Sequence, residues 1–153
     1  MKLTRAQEKL IRSLHKKKGR EQSGFCLVEG SKGIEAANEH IEFEFSSNDT
    51  DLFDELVTTE TPQESAAVAR VPIFEKDIVL KHRTVLILDG LQDPGNVGGI
   101  FRLAQAFDAS LVLVESVDPT SPKVLRSSAS SVFHVPWMII DREEMPSLFK
   151  TIG

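Results

Sequence analysis

No apolar run in this chain is long enough to span a membrane. The longest, such as "VLIL" and "LVLV", have the length of core strands, far short of the roughly 20 residues that a bilayer crossing needs. Basic residues at the N-terminus have no apolar stretch behind them, so no secretory signal is read there. Cysteine is nearly missing. Cys26 alone excludes a disulfide framework and a thiolate metal site, and its apolar surroundings mark it as a small buried hydrophobe. No metal is expected, and a cytoplasmic location is. Internal repeats and low-complexity tracts are also lacking. With 41% hydrophobic and 27% charged residues over 153 positions, the chain has the composition of one ordinary domain or two small ones.

Basic charge is scarce everywhere except at the start. Residues 1–20 hold eight Lys/Arg against the single acid Glu8, and the remainder carries 10 basic and 22 acidic side chains. An acidic body with a basic arm can still bind a polyanion, because phosphate contacts are local and salt-sensitive. Lys16, Lys17, Lys18 and Arg20 are therefore candidate RNA contacts, with a merely solvated helix end as the competing reading.

The periodicities describe an α/β chain in two parts. Leu3, Leu10, Ile11 and Leu14 have helical spacing, and Gly19 is placed to stop that helix. "GFCLVEG" reads as a short buried strand, "SKGIEAANEH" as a helix capped by Ser31, and "IEFEF" as a half-buried strand. "SNDTDLFDELV" predicts a turn and short helix, and Ala66–Val71 a strand. These make a small α/β module over residues 1–72, with residues 73–83 as the connection. From Thr84 to Gly153 the order becomes strand "VLILD", turn, helix from about Asn96 to Phe107, strand "LVLVES", helix near "KVLRSSASSV", strand near "HVPWMII" and a last helix. Such alternation implies parallel βαβ units. Three strands form a small sheet with an open edge.

The turn between the first of these strands and its helix is "DGLQDPGNVGGIFR". Glycines at the carboxyl end of a parallel strand let backbone approach a ligand, and the helix start favours an anion. Pro94, Gly95, Gly98 and Gly99 form the structural turn. It is not a P-loop, since no Gly-Lys-Ser/Thr follows, and its glycine order differs from the dinucleotide fingerprint. A half-Rossmann reading survives only through Glu115, which ends the next strand where an acid would meet a ribose hydroxyl. Asn96 is either a plain N-cap or a site residue. Arg102, flanked by Ile100, Phe101 and Leu103, must either snorkel or find an acceptor, and its planar fork suits phosphate.

"LDGLQDPGNVGGIFRLAQAFDA" resembles the first motif of the SpoU (TrmH-like) RNA ribose 2′-O-methyltransferases of the SPOUT superfamily. That motif, Asp/Asn-Pro-x-Asn-x-Gly-x-x-x-Arg, is matched by Asp93, Pro94, Asn96, Gly98 and Arg102. "SPKVLRSSASSVFHVP" is similar to the family segment after the second strand. "SLHKKKGREQSGFCLVEG" and "TETPQESAAVAR" are similar to the family's N-terminal RNA-binding extension, a domain like a ribosomal protein. The resemblance implies transfer of the methyl of S-adenosylmethionine to a ribose 2′-hydroxyl of transfer or ribosomal RNA. It assigns catalytic roles to Arg102 and Asn96: activating the hydroxyl and positioning the RNA. A free guanidinium keeps its proton at neutral pH, so an orienting role or a phosphate relay fits ordinary chemistry better than direct proton abstraction. Lys123 and Arg126 are further candidates for RNA phosphate contact, with surface charge as the alternative.

The resemblance also implies pieces that do not occur before Gly153: the glycine- and glutamate-bearing second motif and the Ser-x-Asn third motif of a C-terminal trefoil knot. The expectation is a partial parallel-sheet SPOUT domain lacking that knot, with no cofactor-binding residue in this chain. The homodimer surface usual in the family is then expected to be missing too, and the chain to be inactive alone. Two accounts remain, a truncated methyltransferase and a non-catalytic RNA-binding protein.

Overall fold

The computed structural model describes residues 2–152. Met1 and Gly153, the outer ends of the two expected parts, lie outside the described residues.

The N-terminal part is an antiparallel sheet packed on both faces. Strands β1 (Phe25–Glu29), β2 (Ile41–Ser46) and β3 (Ser65–Arg70) run in the order β1-β3-β2, with β3 in the middle. Alternation sorts their side chains. Leu27, Phe45, Ala66 and Val68 join Ile11, Leu14, Phe53 and Leu56 in one cluster, covered by helices α1 (Arg5–Ser13) and α4 (Phe53–Leu56). Cys26, Val28 and Ala69 face the other way and enter a second cluster shared with the C-terminal part. Helix α3 (Ser31–Ala37) packs on that side. Ser31 is its first residue rather than its cap, and Gly30 precedes it at a φ of 86°.

The basic arm is two helices rather than one. Thr4 caps α1 through a reciprocal bond pair with Gln7, and the chain breaks after Leu14 before α2 (Lys17–Ser23). Gly19 does not stop a helix. It lies inside α2, so close to the end of α1 that a Cβ there would sit 1.9 Å from the Ser13 carbonyl oxygen. Gly24, in the left-handed conformation, is the residue that ends α2.

The C-terminal part is a parallel sheet in sequential order: β4 (Val85–Asp89), β5 (Ser110–Val114) and β6 (Trp137–Ile139). Central β5 is buried throughout, as a strand covered on both faces must be. Leu111 and Leu113 face α6 (Pro94–Ala106) and α7 (Pro122–Ser127), whereas Val112 and Val114 face α5 (Lys76–Leu80) and α8 (Met145–Ile152). The 73–83 connection is therefore not bare chain. Phe74 stacks edge-on against Trp137 with centroids 6.5 Å apart, and α5 covers the sheet.

Helix α7 packs against both α6 and β1 and so joins the two parts, helped by the His40–Phe133 ring contact and the Arg20–Asp118 pair. One core cluster runs from Cys26 and Val28 through Val124 and Leu125 to Phe101 and Leu111. Among the described residues no helix is long and apolar enough to cross a membrane, and no group of three acidic, His or Cys side chains is arranged to hold a metal ion.

Candidate nucleic-acid interface

The start of α6 is set by Asp93 and Pro94. Asp93 is the cap, accepting the backbone N–H of Asn96 at 2.8 Å, and Pro94 occupies the first helical position, where no N–H is missed. Asn96 is thus not the cap. Its side chain is left exposed in the first turn. The cap signal was legible as Asp-Pro, and Asp93 is the residue that the N-cap reading of Asn96 passed over.

With 3.6 residues per turn, Val97, Gly98, Phe101 and Ala104 form the buried face of α6. Gly95, Gly99, Arg102 and Ala106 follow one another along the opposite face at spacings of four, three and four. Arg102 is exposed, and among the described residues no hydrogen bond or ion pair engages its guanidinium. The arginine that had to snorkel or find an acceptor therefore presents an unpaired fork to solvent. Asn96 and Arg102 stand about 9 Å apart along the helix axis.

Pro94, Gly95, Gly98 and Gly99, expected as a turn, lie instead inside α6, because the cap at Asp93 starts the helix before them, and its two adjacent glycines serve different ends. A Cβ on Gly98 would lie 1.9 Å from Ser127 Oγ and 2.6 Å from Ser127 Cβ. Gly98 is therefore where α7 crosses α6, and its lack of a side chain admits Ser127, whose hydroxyl donates to the Pro94 carbonyl at 2.8 Å. At Gly99 nothing beyond its chain neighbours and the backbone of its own helix lies within 4 Å of the corresponding position. Its open side faces outward, along the row with Arg102.

An open depression at this end of α6 is lined by Asp93, Pro94, Gly95, Lys123, Arg126 and Ser127. The structure thus brings Pro94 and Gly95 together with both α7 cations, whereas Asn96, Gly98, Gly99 and Arg102 do not line the depression. Arg126 is tethered there by Glu29, 2.5 Å away at the end of β1, a partner that the sequence reading missed.

Arg20 requires a correction. It is a buried residue, 5% exposed, bonded to Asp118 at 2.9 and 3.1 Å and to the Leu14 carbonyl at 3.0 Å. A guanidinium committed to three bonds inside the protein cannot serve as an RNA contact. Lys16, Lys17 and Lys18 do remain exposed. They start α2, and Lys17 borders a different cleft, shared with Trp137 and Ile139.

Glu115 directly follows the last residue of β5, Val114, at a left-handed φ of 47°. Its carboxylate is not open to a ribose. Arg142 donates to it at 2.7 and 3.1 Å and reaches Asp89, the last residue of β4, at 2.5 and 3.4 Å. The bonds from Arg142 hold both carboxyls below the ordinary carboxylate range, and the two acids push the guanidinium upward in turn. Arg142 thereby ties together the carboxyl ends of two strands, and the half-Rossmann reading loses its acceptor.

Residues 83–148 match the SpoU rRNA Methylase family. The 23S rRNA (guanosine(2553)-2′-O)-methyltransferase RlmP of Bacillus subtilis is 32% identical over 158 aligned positions, covering 89% of this chain and 61% of the relative. The chain thus spans about six-tenths of the length of that protein. Among solved structures, the AdoMet-bound rRNA methyltransferase of Sinorhizobium meliloti superposes with a TM-score of 0.84 over all of this chain and 68% of its own, at 24% identity. That likeness establishes the fold. The SpoU methyltransferase AviRb of Streptomyces viridochromogenes, in complex with its cofactor AdoMet, superposes with a TM-score of 0.72 over 95% of this chain and 66% of its own, at 25% identity.

Proposed function

We propose that this chain, which belongs to the SpoU methylase family through residues 83–148, binds ribosomal RNA along the open face of α6 and acts in the methylation of a ribose 2′-hydroxyl. The observation that carries this reading is the unpaired, exposed Arg102, on the same helix as the exposed Asn96 and the unobstructed Gly99; a depression holding Lys123 and Arg126 opens at the start of that helix. Ribosomal RNA is favoured over transfer RNA by the name of the B. subtilis relative.

A ribose hydroxyl attacks only when it is held in line with its electrophile and its proton has an acceptor. Arg102 supplies a planar donor fork matched to a phosphate or to the oxygens of one nucleotide. Asn96 offers an amide that both donates and accepts. Together they orient the nucleotide, and Arg102, keeping its own proton, holds the adjacent phosphate where one of its oxygens would take up the proton of the hydroxyl. Gly99 leaves room for the sugar. The exposed Lys16–Lys18 add phosphate contacts away from the target nucleotide.

S-adenosylmethionine, the cofactor of the family, supplies the methyl group when bound. Among the described residues, the two acids at the carboxyl ends of the strands, Asp89 and Glu115, are paired with Arg142, so neither offers a free acceptor to a cofactor's ribose. That observation favours a second reading for these residues taken alone, RNA binding without methyl transfer. Calorimetric titration with S-adenosylmethionine separates the two. Saturable heat of binding supports methyl transfer by this chain, and its absence supports RNA binding alone.

For the RNA site itself, fluorescence anisotropy with a 23S rRNA fragment is expected to show a weaker complex for Arg102→Ala. Lys123→Ala should lower the salt slope by about one. Unchanged affinity in both variants would remove the α6 face from the function.

A further inference from the structure

Glu29 belongs to the N-terminal part, yet its carboxylate reaches a cation of the depression beside α6. Only 2% of its side chain is exposed. A buried carboxylate is costly unless donors surround it, and Glu29 has them locally. Oε1 accepts the backbone N–H groups of Thr58 and Thr59 at 2.5 and 3.3 Å, and Oε2 accepts the Thr58 hydroxyl at 2.7 Å. These three donors satisfy the carboxylate without any help from the C-terminal part. The fourth comes from α7: Arg126 Nη1 donates to Glu29 Oε2 at 2.5 Å and to Thr58 Oγ1 at 2.6 Å. Since Glu29 is already satisfied, the main consequence of this fourth bond falls on the arginine.

A solvent-side arginine samples many rotamers, and fixing it on a ligand costs entropy. Arg126 is already fixed. Its bonds run through Nη1 alone, so the other two nitrogens of the fork stay available to an anion in the depression that it lines with Lys123, Asp93, Pro94 and Gly95. The residue that follows, Ser127, bonds the Pro94 carbonyl at 2.8 Å. One turn of α7 is thereby held from both sides, by the N-terminal sheet and by the first turn of α6.

From this geometry we infer that Glu29 is a positioning residue of the RNA site: with Thr58 it aims Arg126 at a phosphate bound beside the start of α6. The N-terminal part thus contributes to the site on α6 through one buried carboxylate. This inference rests on the RNA-binding reading above and adds to it the device that orders the site.

The sign of one effect decides it. If Glu29 were only a negative charge beside a polyanion site, or if it withheld Arg126 from RNA, then Glu29→Gln would tighten binding. Positioning demands the opposite. With the full chain and a fluorescein-labelled RNA hairpin, anisotropy is expected to show Glu29→Gln weakening binding by about 3- to 10-fold, the scale of one side chain's lost ordering. Arg126→Ala should weaken it at least as much. In the Arg126→Ala background Glu29→Gln should cause no further loss, because the residue it acts through is gone. Affinity equal to or tighter than wild type for Glu29→Gln overturns the inference, as does an equal loss in both backgrounds. Should Glu29→Gln fail to fold by thermal melting, Arg126→Lys decides. It keeps the charge but has a single nitrogen, so a loss like that of Arg126→Ala is expected, and wild-type affinity overturns the inference. Failure of the wild-type chain to bind the hairpin sinks the RNA reading itself, and this inference with it. Wild-type binding with an unaffected Glu29→Gln sinks the inference alone.

Discussion

The hydroxyl of Ser127 donates to the carbonyl of Pro94 at 2.8 Å, through a helix crossing left open by the missing side chain of Gly98. That contact fixes α7, with its two cations, against the first turn of α6. A methyl group at Gly98 would occupy the place of Ser127 Oγ, 1.9 Å away. Gly98→Ala is expected to destabilise the chain by about 1–3 kcal/mol, the usual range for overpacking, as measured by urea denaturation. Gly99→Ala is the contrast. With nothing beyond its chain neighbours and its own helix backbone within 4 Å, it should leave stability unchanged or raise it by up to about 1 kcal/mol, while weakening RNA binding if the open side of Gly99 is clearance for RNA.

Arg20 and Asp118 form a buried ion pair, 5% and 12% exposed, that ties α2 to the loop after β5. Removing one partner strands the other. Arg20→Ala should cost about 3–5 kcal/mol of stability and leave the salt dependence of RNA binding at its wild-type slope. Charge reversal at Lys16–Lys18 should do the reverse, flattening the slope with little effect on stability. A flattened slope for Arg20→Ala, under conditions where it stays folded, would return Arg20 to the RNA surface.

Burial pushes the Cys26 thiol up to about 12, with the Asp118 charge adding to the rise. At neutral pH the thiolate is therefore scarce as well as inaccessible. The folded chain is expected to be inert to Ellman's reagent and to react with one equivalent in denaturant. Rapid reaction in buffer would contradict the burial of β1.

The cluster of Arg142 with Asp89 and Glu115 should appear in the pH dependence of stability. Both carboxyls titrate below their ordinary values in the folded chain because of the bonds from Arg142. Groups with depressed folded values stabilise above the unfolded value and lose that contribution as pH falls through the folded one. The Tm advantage of wild type over Arg142→Gln should thus be present at pH 7 and fade below about pH 4. An advantage that persists undiminished into strong acid would show that Arg142 acts by packing instead.

How much was legible in the chain follows the range of the forces involved. The helical period of "VGGIFRLA" and the Asp-Pro start are local, and α6 with its open and buried faces could be read from them. Alternating strands were equally legible, because Leu111 and Val112 have to face opposite layers. The fate of each arginine was not. Arg20 finds Asp118 98 positions away, and Arg126 finds Glu29 97 positions away; no local pattern encodes either pairing. Arg102 stood out by its apolar neighbours and its motif, but no local pattern showed that it alone of the three has no partner among the described residues. Gly98 and Gly99, adjacent and chemically identical, were read as one turn because the neighbour that separates their roles, Ser127, lies on another helix.

RNA binding by the α6 face is tested most directly by where RNA touches the chain, which amide chemical-shift mapping of the 15N-labelled protein titrated with a 23S rRNA fragment measures. The shifts are expected to concentrate at Gly95, Asn96, Gly99 and Arg102 on α6 and at Lys123 and Arg126 on α7, with Lys16–Lys18 as a second group. Shifts centred instead on the cleft of Trp137 and Ile139, with the α6 face unmoved, would contradict it.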